Sequence, residues 1–333
     1  MTKTGLACPF LHVFGADGYL DFIREVETRG YHTAWIGETA ASDAIATMTL
    51  IASRTTTLSV ASGVIPLQTR TPTVLAMGAA TIARIAPGRV ALGLGLSSPV
   101  IVGDWNGLRY SSSLEQLREA VHIMRGLLAG DRVTFDGKHY RVKNVRLLAP
   151  PPPTPPKIVL AALGPRALEL AGEIADGVLL NWIAPETVAS SIRHLEAGAK
   201  RAGRTLDGFE IAAFVRVSVI DEPEPARQAL AREITPYATV PSYATFFRAS
   251  GYAAEIEALQ AAWKAGDRAG AVKHLSARVL EGLGVIGRED DCRRRFADFA
   301  RSGLTMPVVV PFVPDTGGGD PRAALVRTMR AFP

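Results

Sequence analysis

Short apolar runs alternate with helical periodicities from the start of the chain. Gly5-Leu6-Ala7-Cys8 predicts a first buried strand. Tyr19, Phe22, Ile23 and Val26 then recur at the spacing of one helix face, and Gly30 stands where that helix would stop. Thr33-Ala34-Trp35-Ile36 predicts a second strand that ends at Gly37-Glu38-Thr39, followed by a helix over 44–53. The β-branched run 57–62 predicts a third strand, ending at Gly63-Val64-Ile65-Pro66. Thr71-Pro72 has the form of an N-cap and first helical position, and 89–94 predicts a fourth strand. Strands this short and this apolar are buried on both faces, which predicts a parallel sheet covered by helices.

The rhythm continues with two interruptions. Leu114, Leu117, Val121, Met124 and Leu128 step by three and four along one helix face. The segment 133–142 predicts a hairpin turning at Asp136-Gly137, and six prolines within 150–156 predict a stiff, extended connector. Strands at 158–162 and 177–180 and helices at 166–174 and 185–201 follow, then a long strand at 209–219. The segment 223–284 is helical and Ala-rich and carries Tyr237, Tyr243, Phe246, Phe247, Tyr252 and Trp263. A helix at 291–301, an eighth strand at 306–310 and a last helix capped by Asp320-Pro321 complete the pattern. Eight strands with their helices predict an α/β fold, a (β/α)8 barrel. It forms one domain over 1–333, with insertions near 131–157 and 223–286.

Composition narrows the function classes. The formal charge is +5, but the only dense basic run is Arg293-Arg294-Arg295, the pattern of a solvated helix face, so no nucleic-acid partner is expected. No run of about 18 apolar residues predicts a membrane span, and the N-terminus lacks the apolar core of a secretory signal. Two cysteines far apart, Cys8 and Cys292, fit a reducing, cytoplasmic location and no zinc site.

In a parallel barrel the chemistry sits where strands end and loops toward helices begin. Those positions are Glu38-Thr39, Ser62-Gly63-Val64, Gly95-Leu96-Ser97-Ser98, Ala161-Ala162-Leu163-Gly164, Asn181-Trp182 and the loop after Val310. They hold no lysine for a Schiff base, no histidine set for a metal, and no GxSxG nucleophile turn. Small residues and backbone groups suit a cofactor that carries the difficult chemistry itself. Leu163-Gly164-Pro165-Arg166 reads either as an ordinary strand-to-helix turn or as a helix N-terminus that holds a phosphate.

Four of these stretches resemble the luciferase-like monooxygenase family, and in particular its coenzyme F420-dependent branch. They are Trp35-Ile36-Gly37-Glu38, the run from Ser62 to Pro72, Pro87-Gly88-Arg89-Val90 with Gly93-Leu94-Gly95, and the run from Ala161 to Gly177. The resemblance implies a barrel with insertions that binds F420, or alternatively FMN, at the strand ends. It implies a non-proline cis peptide in the bulge after the third strand, at Ser62–Gly63 or Gly63–Val64, beneath the cofactor ring. The cofactor-binding set would be Ser62, Gly63, Val64, Ala161, Ala162, Leu163, Gly164, Pro165, Arg166 and Asn181, with the phosphate near Gly164 to Arg166. The implied activity is hydride transfer to or from a small C=C, C=N or C=O substrate, in a homodimer. Many relatives have Asp-His where this chain has Glu38-Thr39, and Trp-His-Gly where it has Trp105-Asn106-Gly107. With both histidines gone, Glu38, Ser97 and Asn106 are the candidate catalytic groups. The segment 223–284 is the candidate lid over the substrate.

Overall fold

The computed structural model describes residues 3–111, 113–314 and 317–333. β1 (Gly5–Ala7), α1 (Leu11–Thr28), β2 (Thr33–Ile36), α2 (Ala44–Arg54) and β3 (Ser59–Ser62) open the chain. A short β4 (Ile65–Pro66), α3 (Pro72–Ile85), β5 (Val90–Gly95) and α4 (Leu114–Ala129) follow. The hairpin β6 (Val133–Asp136) and β7 (Arg141–Val145) precedes β8 (Lys157–Ala161), α5 (Pro165–Ile174), β9 (Gly177–Asn181), α6 (Pro185–Arg201) and β10 (Glu210–Val219). The insertion contributes α7 (Glu224–Ala238), α8 (Pro241–Phe247), α9 (Ala253–Lys264), α10 (Arg268–Lys273) and α11 (Ala277–Leu283). The chain closes with β11 (Gly284–Gly287), α12 (Glu289–Arg301), β12 (Met306–Pro311) and α13 (Pro321–Arg330).

β1, β2, β3, β5, β8, β9, β10 and β12 pair in that order, all parallel, and β12 returns to β1. This is the expected (β/α)8 barrel. The caps behave as their residues predict. Thr71 accepts a hydrogen bond from Val74 N–H with Pro72 at the first helical position, and Asp320 accepts from Arg322 N–H. Gly30, at φ 88°, ends α1 in the left-handed conformation a side chain resists.

Two cores serve the barrel. Between strands and helices lie Leu6, Ile23, Ile36, Met48, Leu92, Met124 and their neighbours. Inside the barrel Trp35, Ala61, Ala91, Val159, Leu179, Ala212, Met306 and Val308 pack together, so the interior is filled rather than hollow. The insertion has a third core of its own, built on Leu230, Ile234, Phe247, Ile256, Leu259 and Val279, with Trp182 of the barrel packed into it. Glu119 on α4 pins the hairpin by accepting the backbone N–H groups of Lys138, His139 and Tyr140. The hairpin turns through four residues rather than at Asp136-Gly137 alone, since Asp136 pairs with Arg141.

Candidate active site at the barrel mouth

Side chains alternate along a strand, so the inward interior residues fix which residues face inward one layer higher. Above Trp35, Ala61, Val159 and Leu179 stand Gly37, Gly63, Ala161 and Asn181. On β5 the inward series Ala91, Gly93, Gly95 continues the pattern, and on β10 Ala212 and Phe214 lead to Arg216. From β2 round to β8 the mouth is lined by nothing larger than a methyl group, apart from the bulge residue Val64. From β9 to β10 it is lined by an amide and a guanidinium.

The bulge sets the floor of the small half. Val60 lies opposite Val90, but Ile65 lies opposite Leu94, so five steps on one strand face four on the other and one residue is extra. The Gly63–Val64 bond within it is cis, at one of the two bonds the family resemblance indicates. The glycines here are required by close approach. A Cβ on Gly93 would lie 2.0 Å from the Ser62 carbonyl oxygen, and one on Gly95 would lie 2.7 Å from Val64 Cγ2. A Cβ on Gly63 would lie 2.5 Å from the Phe214 ring.

Ser62 holds the bulge through its side chain. Its hydroxyl donates to the Gly93 carbonyl at 2.9 Å and accepts from Gly93 N–H at 2.7 Å, so both functions are used within the wall. At the end of β8, Gly164 caps α5 with no side chain in the cap position, Pro165 follows, and the Arg166 side chain is exposed. No ion pair or hydrogen bond from the described residues engages Arg166, so the helix N-terminus and this cation are available together. Ala162 is buried, while Ala161 and Leu163 are half-buried.

The polar wall is a connected set. Arg216, 5% exposed, donates from Nε to Glu233 at 3.0 Å and from Nη1 to Asn181 Oδ1. Its guanidinium lies 3.8 Å from the centre of the Trp182 ring. Asn181 Nδ2 donates to the Tyr243 hydroxyl at 3.0 Å. Tyr237 packs edge-on against both Trp182 and Tyr243. Trp182 Nε1 is buried without an acceptor among the described residues, so it is a free donor in the wall. Burial, reinforced by Tyr237, pushes the Tyr243 phenol up to about 12 against the opposing effects of Asn181 and Arg216.

The three candidate catalytic residues are placed differently from this wall. Both Glu38 oxygens are engaged: Arg70 donates to them at 2.9 and 3.4 Å, and Ala44 N–H at the start of α2 donates at 2.9 Å. Arg70 also bonds Asp43. Burial raises the Asp43 carboxyl, but the Ala46 N–H and Arg70 outweigh it and hold it below its ordinary range. Asn106 is exposed and spends its amide on the Ile101 carbonyl at 2.6 Å, closing the π-helical turn Val100–Trp105. Ser97 is half-buried in the loop before that turn. The structure therefore joins Asn181 and the glycines in one mouth, while Glu38 and Asn106 serve the loops around it.

Arg216 brings a cation to the mouth that the strand ends read from the sequence did not include, because β10, like β1, lay outside that set. A single arginine within the apolar run Ile211 to Ile220 was the available signal. Among the described residues no cluster of three or more His, Cys, Asp and Glu side chains is placed to hold a metal ion. No helix among them is long and apolar enough to cross a membrane. A cavity of about 760 Å³ opens between α6, α7, α11 and α12, lined by Glu186, Arg227, Tyr252, Arg278, Glu281 and Arg295. It shares no residue with the mouth, and its cations are matched by carboxylates.

The "Luciferase-like monooxygenase" family profile matches residues 6–306. The 5,10-methylenetetrahydromethanopterin reductase of Archaeoglobus fulgidus is 29% identical over 301 residues, covering 88% of this chain and 90% of that protein. The solved coenzyme F420 dependent tetrahydromethanopterin reductase of Methanopyrus kandleri superposes with a TM-score of 0.79 at 23% identity, covering 99% of this chain and 98% of that one. An F420-dependent secondary alcohol dehydrogenase, solved with an F420-acetone adduct, superposes with a TM-score of 0.78 at 19% identity, covering 100% of this chain and 99% of that one. With nine-tenths of its length inside one family profile and the family's barrel around its mouth, this chain belongs to the luciferase-like monooxygenase family.

Proposed function

We propose that this protein is an F420-dependent oxidoreductase that moves a hydride between the deazaflavin and a small organic substrate bearing a C=C, C=N or C=O bond. The observation that carries the reading is the split mouth, with one half lined by glycine and alanine and the other by Asn181 and Arg216. A flat ring system fits against the first half, where any larger side chain on Gly95 would meet Val64. The ring would rest on Gly63, Val64, Gly95 and Ala161. Its phosphate would meet the α5 N-terminus at Gly164 to Arg166, where backbone N–H groups, the helix dipole and the Arg166 cation act together. The names of the relatives support F420 over FMN. When bound, the cofactor supplies a two-electron hydride carrier; the protein supplies orientation and a water-poor wall.

The insertion supplies Glu233, Tyr237 and Tyr243 to the mouth, which supports its reading as the element that shapes the substrate side. Val74, Met77 and Ile85 lie exposed at helical spacing on α3, and we propose this stripe as the contact of a homodimer. Both cysteines are free and buried, compatible with a reducing, cytoplasmic setting.

The test is a pair of fluorescence titrations of the purified protein, with F420 and with FMN. Micromolar or tighter binding of F420 with weaker FMN binding is the expected result. The reverse preference, with oxygen consumption on reduced FMN, would replace the reading with an FMN monooxygenase. Binding of neither would leave a cofactor-free binding barrel.

A further inference from the structure

The hydrogen-bond directions in the polar wall can be assigned without ambiguity, because one member of the set can only donate. A guanidinium has no acceptor, so the Asn181 atom facing Arg216 is the carbonyl oxygen. The Asn181 amide nitrogen therefore faces Tyr243, and in that 3.0 Å bond the phenol oxygen accepts. The proton of the Tyr243 hydroxyl must point elsewhere, and among the described residues no acceptor takes it. Glu233 closes the far end by holding Arg216 Nε, which keeps the guanidinium in the plane that reaches Asn181.

We infer that Tyr243 is a catalytic hydrogen-bond and proton donor to the substrate, positioned by Asn181, Arg216 and Glu233, and that the substrate is a ketone or aldehyde, or the corresponding alcohol. This rests on the hydride-transfer reading above and names its substrate class. A phenol this firmly protonated keeps its proton at any physiological pH, yet is a stronger acid than the alcohol, so it gives that proton to the alkoxide that forms when a carbonyl is reduced. The reduced cofactor, when bound, would supply a hydride (a proton with two electrons), so that the C–H bond formed on the carbonyl carbon replaces one broken on the donor. The C=O π bond breaks toward oxygen, and that oxygen takes the Tyr243 proton. The phenolate left behind, stabilised by the Asn181 N–H, regains its proton from water. An isolated C=C bond offers no heteroatom to receive this proton, so the arrangement favours a polar double bond, of which the carbonyl is the one proposed.

The experiment uses the full-length protein loaded with F420, and cyclohexanone, butanone and acetophenone as probes. Three readouts are taken: F420 affinity by fluorescence, turnover by F420 absorbance, and the C=O stretch of 13C-labelled ketone bound with oxidised F420. Tyr243→Phe should bind F420 as the unaltered protein does and lose about 100-fold or more in kcat, and the downward shift of the bound carbonyl stretch should vanish. Asn181→Asp is the sharper variant. An ionised carboxylate only accepts, so Tyr243 must turn its proton toward it, and kcat should fall as far as in Tyr243→Phe although the phenol is still present. The double variant should lose no more than either single one. Retention of kcat within threefold in Tyr243→Phe, or an unshifted carbonyl in the unaltered protein, would overturn the inference. So would failure of all three ketones to bind or react while F420 binds. Absence of F420 binding in the unaltered protein would instead remove the parent reading.

Discussion

The guanidinium of Arg216 stacks on the indole of Trp182, 3.8 Å from the ring centre, at the open end of the barrel. Trp182 follows the last residue of β9 and has φ 55°, a left-handed conformation rare for a tryptophan. That turn places its ring against the arginine of the neighbouring strand. A cation without water around it is costly, and here Glu233, Asn181 and the ring face together replace the lost hydration.

Removing the cation should therefore affect stability as well as turnover. Breaking a buried ion pair typically costs about 3–5 kcal/mol. Glu233 is about one-third exposed and can recover water, so for Arg216→Met we expect a smaller loss, about 2 kcal/mol, in urea unfolding. Arg216→Lys should recover only part of it, because one ammonium cannot serve Glu233 and Asn181 while covering the Trp182 ring. An unchanged unfolding midpoint in Arg216→Met would mean that the wall contributes nothing to the fold.

The glycines of β5 should separate steric from functional effects. Gly93→Ala would place Cβ 2.0 Å from a backbone oxygen, which cannot move without unpairing the bulge, and should yield little folded protein. Gly95→Ala would meet side chains rather than backbone, Val64 Cγ2 at 2.7 Å and Ala161 Cβ at 3.4 Å, so the protein should fold while its affinity for F420 falls, by about tenfold for a displaced ring contact. Gly164→Ala is the control. A Cβ there meets nothing within 4 Å, and its backbone is extended, so thermal stability should change by less than about 1 kcal/mol. Melting curves and F420 titrations on the three variants decide the matter.

How much of this was legible before the structure depends on the range of the interactions. The barrel was readable because each β-then-α unit announces itself locally. Thr71-Pro72 and Asp320-Pro321 mark helix starts, and apolar runs such as the one ending at Ile36 mark strands. β4 escaped because a pair as short as Ile65–Pro66 is a strand only by virtue of the neighbour it meets, and β11 because Gly284–Gly287 gains its strand character from pairing with Arg216–Val219. The glycine half of the mouth was readable as strand ends. Of the polar half only Asn181 was, because Arg216 gains its meaning from Asn181, 35 residues before it, and Glu233, 17 residues after it. Glu38 shows the converse: an acid at a strand end suggests chemistry locally, while its partner Arg70 stands 32 residues away and is found only in the structure.

That pairing makes Glu38 a test of position against chemistry. Glu38→Gln keeps an oxygen for Ala44 N–H but weakens the attraction to Arg70. We expect a stability loss of about 1 kcal/mol and turnover within about threefold of the unaltered protein, the scale of a partly buried charge-assisted bond. A fall in kcat of a hundredfold or more with unchanged stability would restore Glu38 as a proton carrier.

The hairpin provides a pH prediction with a fixed sign. Glu119 is buried on α4, and burial alone would raise its carboxyl. The N–H groups of His139, Tyr140 and Lys138 more than offset this and hold it below the ordinary glutamate range. A folded value below the unfolded one means that the carboxylate stabilises the protein above about pH 4.3, the unfolded value, and that this contribution is lost as pH falls through the folded one. The hairpin should therefore loosen in acid before the barrel does. Hydrogen exchange at the amides of 138–140 should accelerate as pH falls through the lowered folded value of Glu119, after correction for intrinsic rates, while amides of β8 and β9 stay protected. Glu119→Gln keeps one carbonyl oxygen for three donors and should show the loosened hairpin already at neutral pH, with no further change on acidification. Equal protection of 138–140 in that variant and the unaltered protein would show that the hairpin is held by Phe135 and Tyr140 packing rather than by the carboxylate.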